Sequence, residues 1–96
     1  MTSSLHILNK APGHQRAGYC LAQLRGGDRL ILMENALLGL VDADWLSALP
    51  EDVTVLVLEA DLDARGMRKY LNKSMQIIDY KSYVSEIALS GKQLYW

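Results

Sequence analysis

Some residue types that characterise particular classes of protein are rare in this sequence or absent from it. Its 96 residues include a single cysteine, Cys20, which excludes an internal disulfide and a zinc module built on several cysteines. Phenylalanine is absent, yet half of the residues are hydrophobic, which excludes a chain disordered by composition. The length suits one domain, and we assign residues 1–96 to it.

An excess of charge of one sign is also missing. Ten Lys and Arg residues against eleven Asp and Glu residues give a net charge of −1. Binders of nucleic acid or of membrane surfaces usually carry a basic excess, so we expect neither direct nucleic-acid binding nor membrane binding. No apolar run approaches the roughly 20 residues of a membrane span, and the first residues lack the pattern of a signal peptide. We therefore expect a cytoplasmic protein.

Short apolar segments alternate with helical patterns along the chain. Residues 53–58 are apolar on both faces, which is typical of a strand covered by helices on each side. The pattern predicts an α/β fold, a small flavodoxin-like three-layer sandwich with a mostly parallel sheet of about five strands. Strands are predicted at residues 5–8, 30–33, 53–58, 75–79 and 93–96, and helices at 14–24, 44–49, 61–70 and 81–90.

The loops that usually carry chemistry on such a fold are absent from the sequence. There is no GxGxxG, no GxxxxGK[ST] and no GxSxG motif, and the first predicted strand ends in Asn9-Lys10 rather than in acidic residues. We expect no cofactor and no metal site. His6 and His14 are candidate general bases, but His6, inside a strand, is interpreted as a hydrogen-bonded structural residue, and His14 as a solvated loop or helix-start residue.

Cys20 is the candidate nucleophile, and two interpretations stay open. It is either a buried structural cysteine or a reactive thiol whose thiolate is favoured by Arg16, one helical turn before it, or by His14. A basic cluster has the same ambiguity: it is either a solvated helix face, with Asp61 paired to Arg65, or a contact for tRNA or an acidic protein. The cluster consists of Arg65, Arg68, Lys69 and Lys73, with Asp61 and Asp63 as helix N-terminal charges.

Apolar residues without a clear place in the sheet indicate an interface. Residues 36–41 are apolar, and the sequence closes on Tyr95 and Trp96, which pack either on the sheet edge or on a partner. The interface residues predicted in this way are Leu37, Leu38, Leu40, Trp45, Tyr95 and Trp96.

Four stretches together resemble the DsrH/TusB family of sulfur-relay subunits (DsrE/DsrF/DsrH-like proteins). They are LHILNKAP at residues 5–12, GDRLILMENA at 27–36, DLDARG at 61–66 and IDYKSYV at 78–84, the last followed by the closing Trp96. The resemblance implies a small α/β subunit that assembles with two paralogous subunits into a hetero-hexamer, two copies of each. Such complexes pass persulfide sulfur to a downstream carrier protein.

The resemblance also implies two possible pathways and a role for Cys20. One branch of the family supports 2-thiolation of the tRNA wobble uridine, and the other serves dissimilatory sulfur oxidation. The main sulfur-accepting cysteine belongs to a sister subunit, while Cys20 matches a position at which some members carry a cysteine. We therefore expect an accessory or sulfur-carrier subunit rather than an independent enzyme, with Cys20 as the candidate persulfide carrier. A purely structural module with an inert cysteine is the alternative.

Overall fold

A computed structural model describes residues 3–96, and a five-stranded sheet forms its centre. All strands run parallel, in the order β4-β3-β2-β1-β5. The strands are β1 (Leu5–Leu8), β2 (Arg29–Leu32), β3 (Thr54–Leu58), β4 (Gln76–Ile78) and β5 (Gln93–Tyr95). The α-helices are α1 (Gln15–Gln23), α2 (Ala43–Ala48), α3 (Glu59–Ala64) and α4 (Tyr80–Leu89), and two 3₁₀ helices span Glu34–Val41 and Arg68–Tyr70. The predicted α/β class and its five parallel strands are confirmed.

Right-handed crossovers between parallel strands determine where the helices lie. From β1 to β4 each strand is added on the same side of the one before, so α1, α2 and α3 lie on one face of the sheet. The connection after β4 returns across the sheet to pair β5 with β1, which places α4 on the opposite face. The flavodoxin order is 2-1-3-4-5, whereas here β1 lies between β2 and β5.

The strand alternation divides the core into two unequal parts. The larger part lies under α1, α2 and α3, and its members include Leu8, Ala17, Cys20, Leu30, Leu32, Leu37, Leu40, Trp45, Val55, Val57 and Leu62. The smaller part lies under α4 and consists of Leu5, Ile7, Ile31, Leu56 and Ile78. Tyr83 and Ile87 of α4 cover these five side chains and are themselves only partly buried. Three helices therefore lie over one face of the sheet and α4 alone over the other.

Residues 36–41, whose place the sequence leaves open, form most of the first 3₁₀ helix. Leu37 and Leu40 point into the larger core, and Gly39 lies directly under Trp45. A Cβ atom on Gly39 would lie 2.7 Å from ring atoms of Trp45, so a glycine is required there. The apolar run therefore belongs to the core.

Two predicted helix boundaries have clear physical causes. Asp79 accepts a hydrogen bond from the Ser82 N–H at 2.7 Å, which confirms the predicted cap of α4. The helix predicted over residues 61–70 is interrupted, as expected, near Gly66, whose positive φ of 61° separates α3 from the second 3₁₀ helix. Within residues 3–96, none of the helices is both long enough and apolar enough to span a membrane.

Candidate functional site

Ligands of open α/β sheets usually bind beyond the carboxyl ends of the strands, where the strand order reverses. In this sheet that point lies between β1 and β5. The chain itself occupies it: Arg16 of α1 donates hydrogen bonds to the backbone carbonyl oxygens of Trp96, at 2.8 Å, and Tyr95, at 3.3 Å. The usual ligand position of the fold is therefore closed by residues of the same chain.

The DLDARG segment joins α3 to the turn that follows β2. Asp61 accepts a hydrogen bond from the Glu34 N–H at 2.7 Å, and Arg65 donates one to Asn35 at 2.7 Å. Glu34 has a positive φ of 52°, a strained conformation for a residue with a side chain, and the Asp61 hydrogen bond holds it. The predicted Asp61–Arg65 pair is wrong, because both side chains bind the neighbouring turn instead.

Most of the charge in the basic cluster is neutralised or bound locally. Arg68 pairs with Asp63 at 2.6 Å and with Glu59 at 2.8 Å. The hydrogen bond from Arg68 lowers the pKa of Asp63, and the two carboxylates raise the pKa of Arg68. Lys69 lies over the ring of Tyr70, 5.2 Å from its centroid. This arrangement is that of a solvated helix face, which agrees with the first of the two interpretations.

Cys20 lies on the inner side of α1 and is 1% exposed. Burial raises the pKa of its thiol to about 12, so the reactive thiolate is scarce at neutral pH. The two cationic candidates have other partners: His14 Nδ1 accepts a hydrogen bond from the Arg16 N–H, and the Arg16 guanidinium binds the Trp96 carbonyl. In this conformation Cys20 therefore has the environment of a structural cysteine.

His6 and Asp28 form a buried pair that connects three parts of the chain. His6 Nε2 lies 2.9 Å from Asp28 Oδ2, and Trp96 Nε1–H donates to His6 Nδ1 at 3.2 Å. Asp28 also accepts hydrogen bonds from the Ser4 and Arg25 N–H groups, at 2.9 and 3.0 Å. Burial opposes ionisation of Asp28, but the hydrogen bonds from Ser4, His6 and Arg25 outweigh it and lower the pKa.

The structural interpretation of His6 therefore fits its surroundings, although the local sequence does not identify its partners. From the sequence, Asp28 belongs only to the turn that ends α1. The family motifs do indicate these partners, because His6 of the LH motif, Asp28 of the GD motif and Trp96 are the three residues that meet. Among the residues described, no group of three or more His, Cys, Asp or Glu side chains is arranged to hold a metal ion.

The predicted interface residues divide into two groups. Leu37, Leu40 and Trp45 are buried in the core of the same chain, at 0%, 5% and 7% exposure, and this part of the interface prediction must be corrected. Most of the apolar run fills the space under α2, and only Leu38 and Val41 of residues 36–41 are exposed. Trp96 is half-buried against His6, while Leu38 and Tyr95 remain exposed.

A cluster of exposed aromatic and aliphatic side chains, which we call the tyrosine patch, lies on the α4 side of the sheet. It consists of Tyr80, Tyr83, Val84 and Tyr95. The rings of Tyr80 and Tyr83 are 5.5 Å apart, and Val84 is 52% exposed. Burial raises the pKa of Tyr83, with smaller effects in the same direction from Tyr95, Tyr80 and Glu34.

Helix α4 itself has an unusual environment. None of its ten residues is buried, although it is the helix that covers this face of the sheet. Its charged side chains are Lys81 and Glu86, and Glu86 is held by a bidentate contact to Arg29 at 2.6 and 3.0 Å. The sequence predicts α4 but contains no indication that the helix stays uncovered.

Comparison with known proteins gives a consistent result. Residues 10–93 match the family described as "DsrH like protein". The chain is 31% identical over 94 residues to Protein TusB of Pectobacterium atrosepticum, and the alignment covers 96% of this chain and 99% of that protein. The corresponding identities are 30% for TusB of Buchnera aphidicola and 29% for TusB of Escherichia coli K12, with the same coverage.

A solved structure supports the fold independently. The solution structure of Protein Tm0979 from Thermotoga maritima superimposes with a TM-score of 0.64, covering 88% of this chain and 91% of that one, at 16% identity. This likeness concerns the fold alone. Together with the full-length match to TusB proteins, the family match confirms the resemblance seen in the four motifs: the chain belongs to the DsrH/TusB family.

Proposed function

We propose that this chain is an accessory subunit of a cytoplasmic persulfide relay, and that it acts by assembling with paralogous subunits rather than by chemistry of its own. Family membership supports the relay, because the resemblance implies complexes that pass persulfide sulfur between subunits. The TusB relatives favour the branch that serves 2-thiolation of the tRNA wobble uridine. The related complex of dissimilatory sulfur oxidation is the alternative.

The observation that carries the assembly role is the exposed surface of α4, none of whose ten residues is buried. The helix covers the smaller core with Tyr83 and Ile87, and it leaves other apolar side chains, Val84 and Leu89 among them, exposed and free to contact a partner. The tyrosine patch consists of three residues of this helix and Tyr95 of β5. It has the composition of an interface core, since it is rich in tyrosine and contains no charged residue. We propose that a paralogous subunit packs on this patch, and that Leu38 contacts a second neighbour in the hexamer.

The burial of Cys20 also supports the accessory role. A thiol that is 1% exposed with a pKa of about 12 does not attack a persulfide at a useful rate in this conformation. Sulfur carriage on Cys20 is the second candidate, and it requires a conformation that uncovers the thiol. Its test is the mass of the chain after incubation with a persulfide donor, with the sister subunit labelled in the same tube.

The assembly proposal is tested by co-expression with the two paralogous subunits followed by native mass spectrometry. We expect a hetero-hexamer with two copies of each subunit. The Val84→Asp variant places a charge in the tyrosine patch and should leave this chain outside the complex. The matched control is Tyr70→Asp, because Tyr70 is also an exposed aromatic residue but lies on the second 3₁₀ helix, outside the patch.

Two results would contradict the proposal. One is a chain that stays monomeric in the presence of both paralogues. The other is a Val84→Asp variant that assembles as well as the Tyr70→Asp control, which would show that the tyrosine patch is not the contact surface.

A further inference from the structure

The segment of residues 93–96 completes the sheet at the free edge of β1. Strand β5 pairs with β1 over three residues, and the Trp96 N–H donates to the Ile7 carbonyl oxygen at 2.9 Å. None of these four residues is buried, and β5 has a neighbouring strand on one side only. Such edge elements open at a lower free energy than the core strands do.

Side chains hold this segment at both ends. At its first residue, the Gln93 side chain donates hydrogen bonds to the carbonyl oxygen of Ile87 at 2.9 Å and to Ser90. Trp96 Nε1–H donates to His6 Nδ1, and the Arg16 guanidinium binds the carbonyl oxygens of Tyr95 and Trp96. The three partners of Asp28, by contrast, are Ser4, Arg25 and His6, and none of them belongs to the segment. The hydrogen bonds that hold Asp28 and the His6–Asp28 pair therefore do not depend on residues 93–96.

The segment covers a defined part of α1. With 3.6 residues per turn, Cys20 lies one turn after Arg16 on the same flank of the helix. Trp96 binds Arg16 through its carbonyl oxygen and His6 through its indole, and it packs against the core cluster that contains Cys20. By strand alternation, His6 is on the face of β1 toward α1. The indole therefore lies beside the flank that carries both Arg16 and Cys20.

We propose that residues 93–96 form a strap that opens as a local unit, without global unfolding, and uncovers this flank of α1. In the closed state the strap excludes solvent from the flank and engages the Arg16 guanidinium. In the open state Arg16 loses its two carbonyl acceptors and becomes free one turn from Cys20, where a cation favours the thiolate. The strap thus determines whether the Cys20 thiol is unreactive or reactive.

The test is the rate at which a small disulfide reagent modifies Cys20 in the full chain, measured in increasing concentrations of urea below the unfolding transition. Local opening exposes little surface, so we expect a rate that does not depend on urea at low concentrations. Trp96→Phe, which keeps a ring but removes the indole donor, weakens only the closed state and should raise this rate roughly fivefold. The control Tyr70→Phe should leave it unchanged.

Reaction that follows the urea dependence of global unfolding from the lowest concentration would overturn the strap. So would an absence of modification before the unfolding transition, or a rate for Trp96→Phe equal to that of the parent chain. Because the measurement uses a small reagent and the isolated chain, it is independent of the proposed function. Failure of assembly with paralogues would leave the strap standing, and failure of the strap would leave assembly untouched.

Discussion

The indole of Trp96 donates its hydrogen bond to Nδ1 of His6, 90 residues earlier in the chain, at 3.2 Å. This contact requires a neutral imidazole with its proton on Nε2, where it faces Asp28 at 2.9 Å. A single buried ring thereby links the first strand, the turn before β2 and the last residue of the described structure. Three of the four motifs that define the resemblance meet in this one network.

The Trp96–His6 hydrogen bond predicts a graded loss of stability. Trp96→Phe removes the donor but keeps an aromatic ring, and it should lower the free energy of unfolding by about 1 kcal/mol. Trp96→Ala also removes apolar contacts and should lower it by about 2–3 kcal/mol. Urea denaturation followed by circular dichroism measures both. Equal stability of Trp96→Phe and the parent chain would show that the hydrogen bond contributes nothing.

The lowered pKa of Asp28 predicts a pH dependence of stability. Because the folded-state pKa is below the ordinary value, ionised Asp28 stabilises the fold at neutral pH, and this contribution is lost as the pH falls through the folded pKa. The free energy of unfolding should therefore decrease on acidification below about pH 4. Chemical denaturation at a series of pH values measures this decrease.

The Asp28→Asn variant isolates that contribution. An amide cannot accept all three hydrogen bonds, so the variant should be about 1–3 kcal/mol less stable at neutral pH. It should also lack part of the acidic decrease in stability. The exposed Asp44→Asn variant is the control. An acidic profile of Asp28→Asn identical to that of the parent chain would contradict the assignment.

Two glycines predict opposite effects of the same substitution. Gly39→Ala places a methyl group 2.7 Å from the Trp45 ring and should destabilise the chain by about 1–3 kcal/mol. Gly18 lies within α1, and a methyl group added there would meet no neighbouring side chain within 4 Å, so Gly18→Ala should stabilise by about 0.5–1 kcal/mol. Thermal unfolding of both variants measures the difference. A neutral Gly39→Ala would mean that Trp45 is not packed in the core.

The sequence predicts the strands and helices well because each carries its own signal. Residues 53–58 are mostly apolar and rich in β-branched residues, and Asp79 caps α4 through its own side chain. Contacts between distant segments carry no such local signal. The hydrogen bond from Trp96 to His6 depends on β5 pairing with β1. The apolar pattern of β5 cannot show whether the strand joins the sheet edge at β1 or the edge at β4.

The candidate site shows the same limit. The helical pattern places Cys20 at the edge of the apolar stripe of α1, but its degree of burial depends on the core that the whole sheet and its helices form. The apolar residues 36–41 predict burial without specifying the surface that buries them. Leu37, Leu40 and Trp45 pack within their own chain, while the uncovered surface lies around α4, whose apolar residues have the pattern of ordinary core positions.

The central claim is that this chain serves a sulfur relay by assembly and not by carrying sulfur on Cys20. Its most direct test is the rate of sulfur transfer through the complex reconstituted with the paralogous subunits, compared between Cys20→Ala and the parent chain. We predict an unchanged rate for Cys20→Ala, and loss of transfer for Val84→Asp, which should fail to assemble. An intact complex with Cys20→Ala that no longer transfers sulfur would contradict the claim.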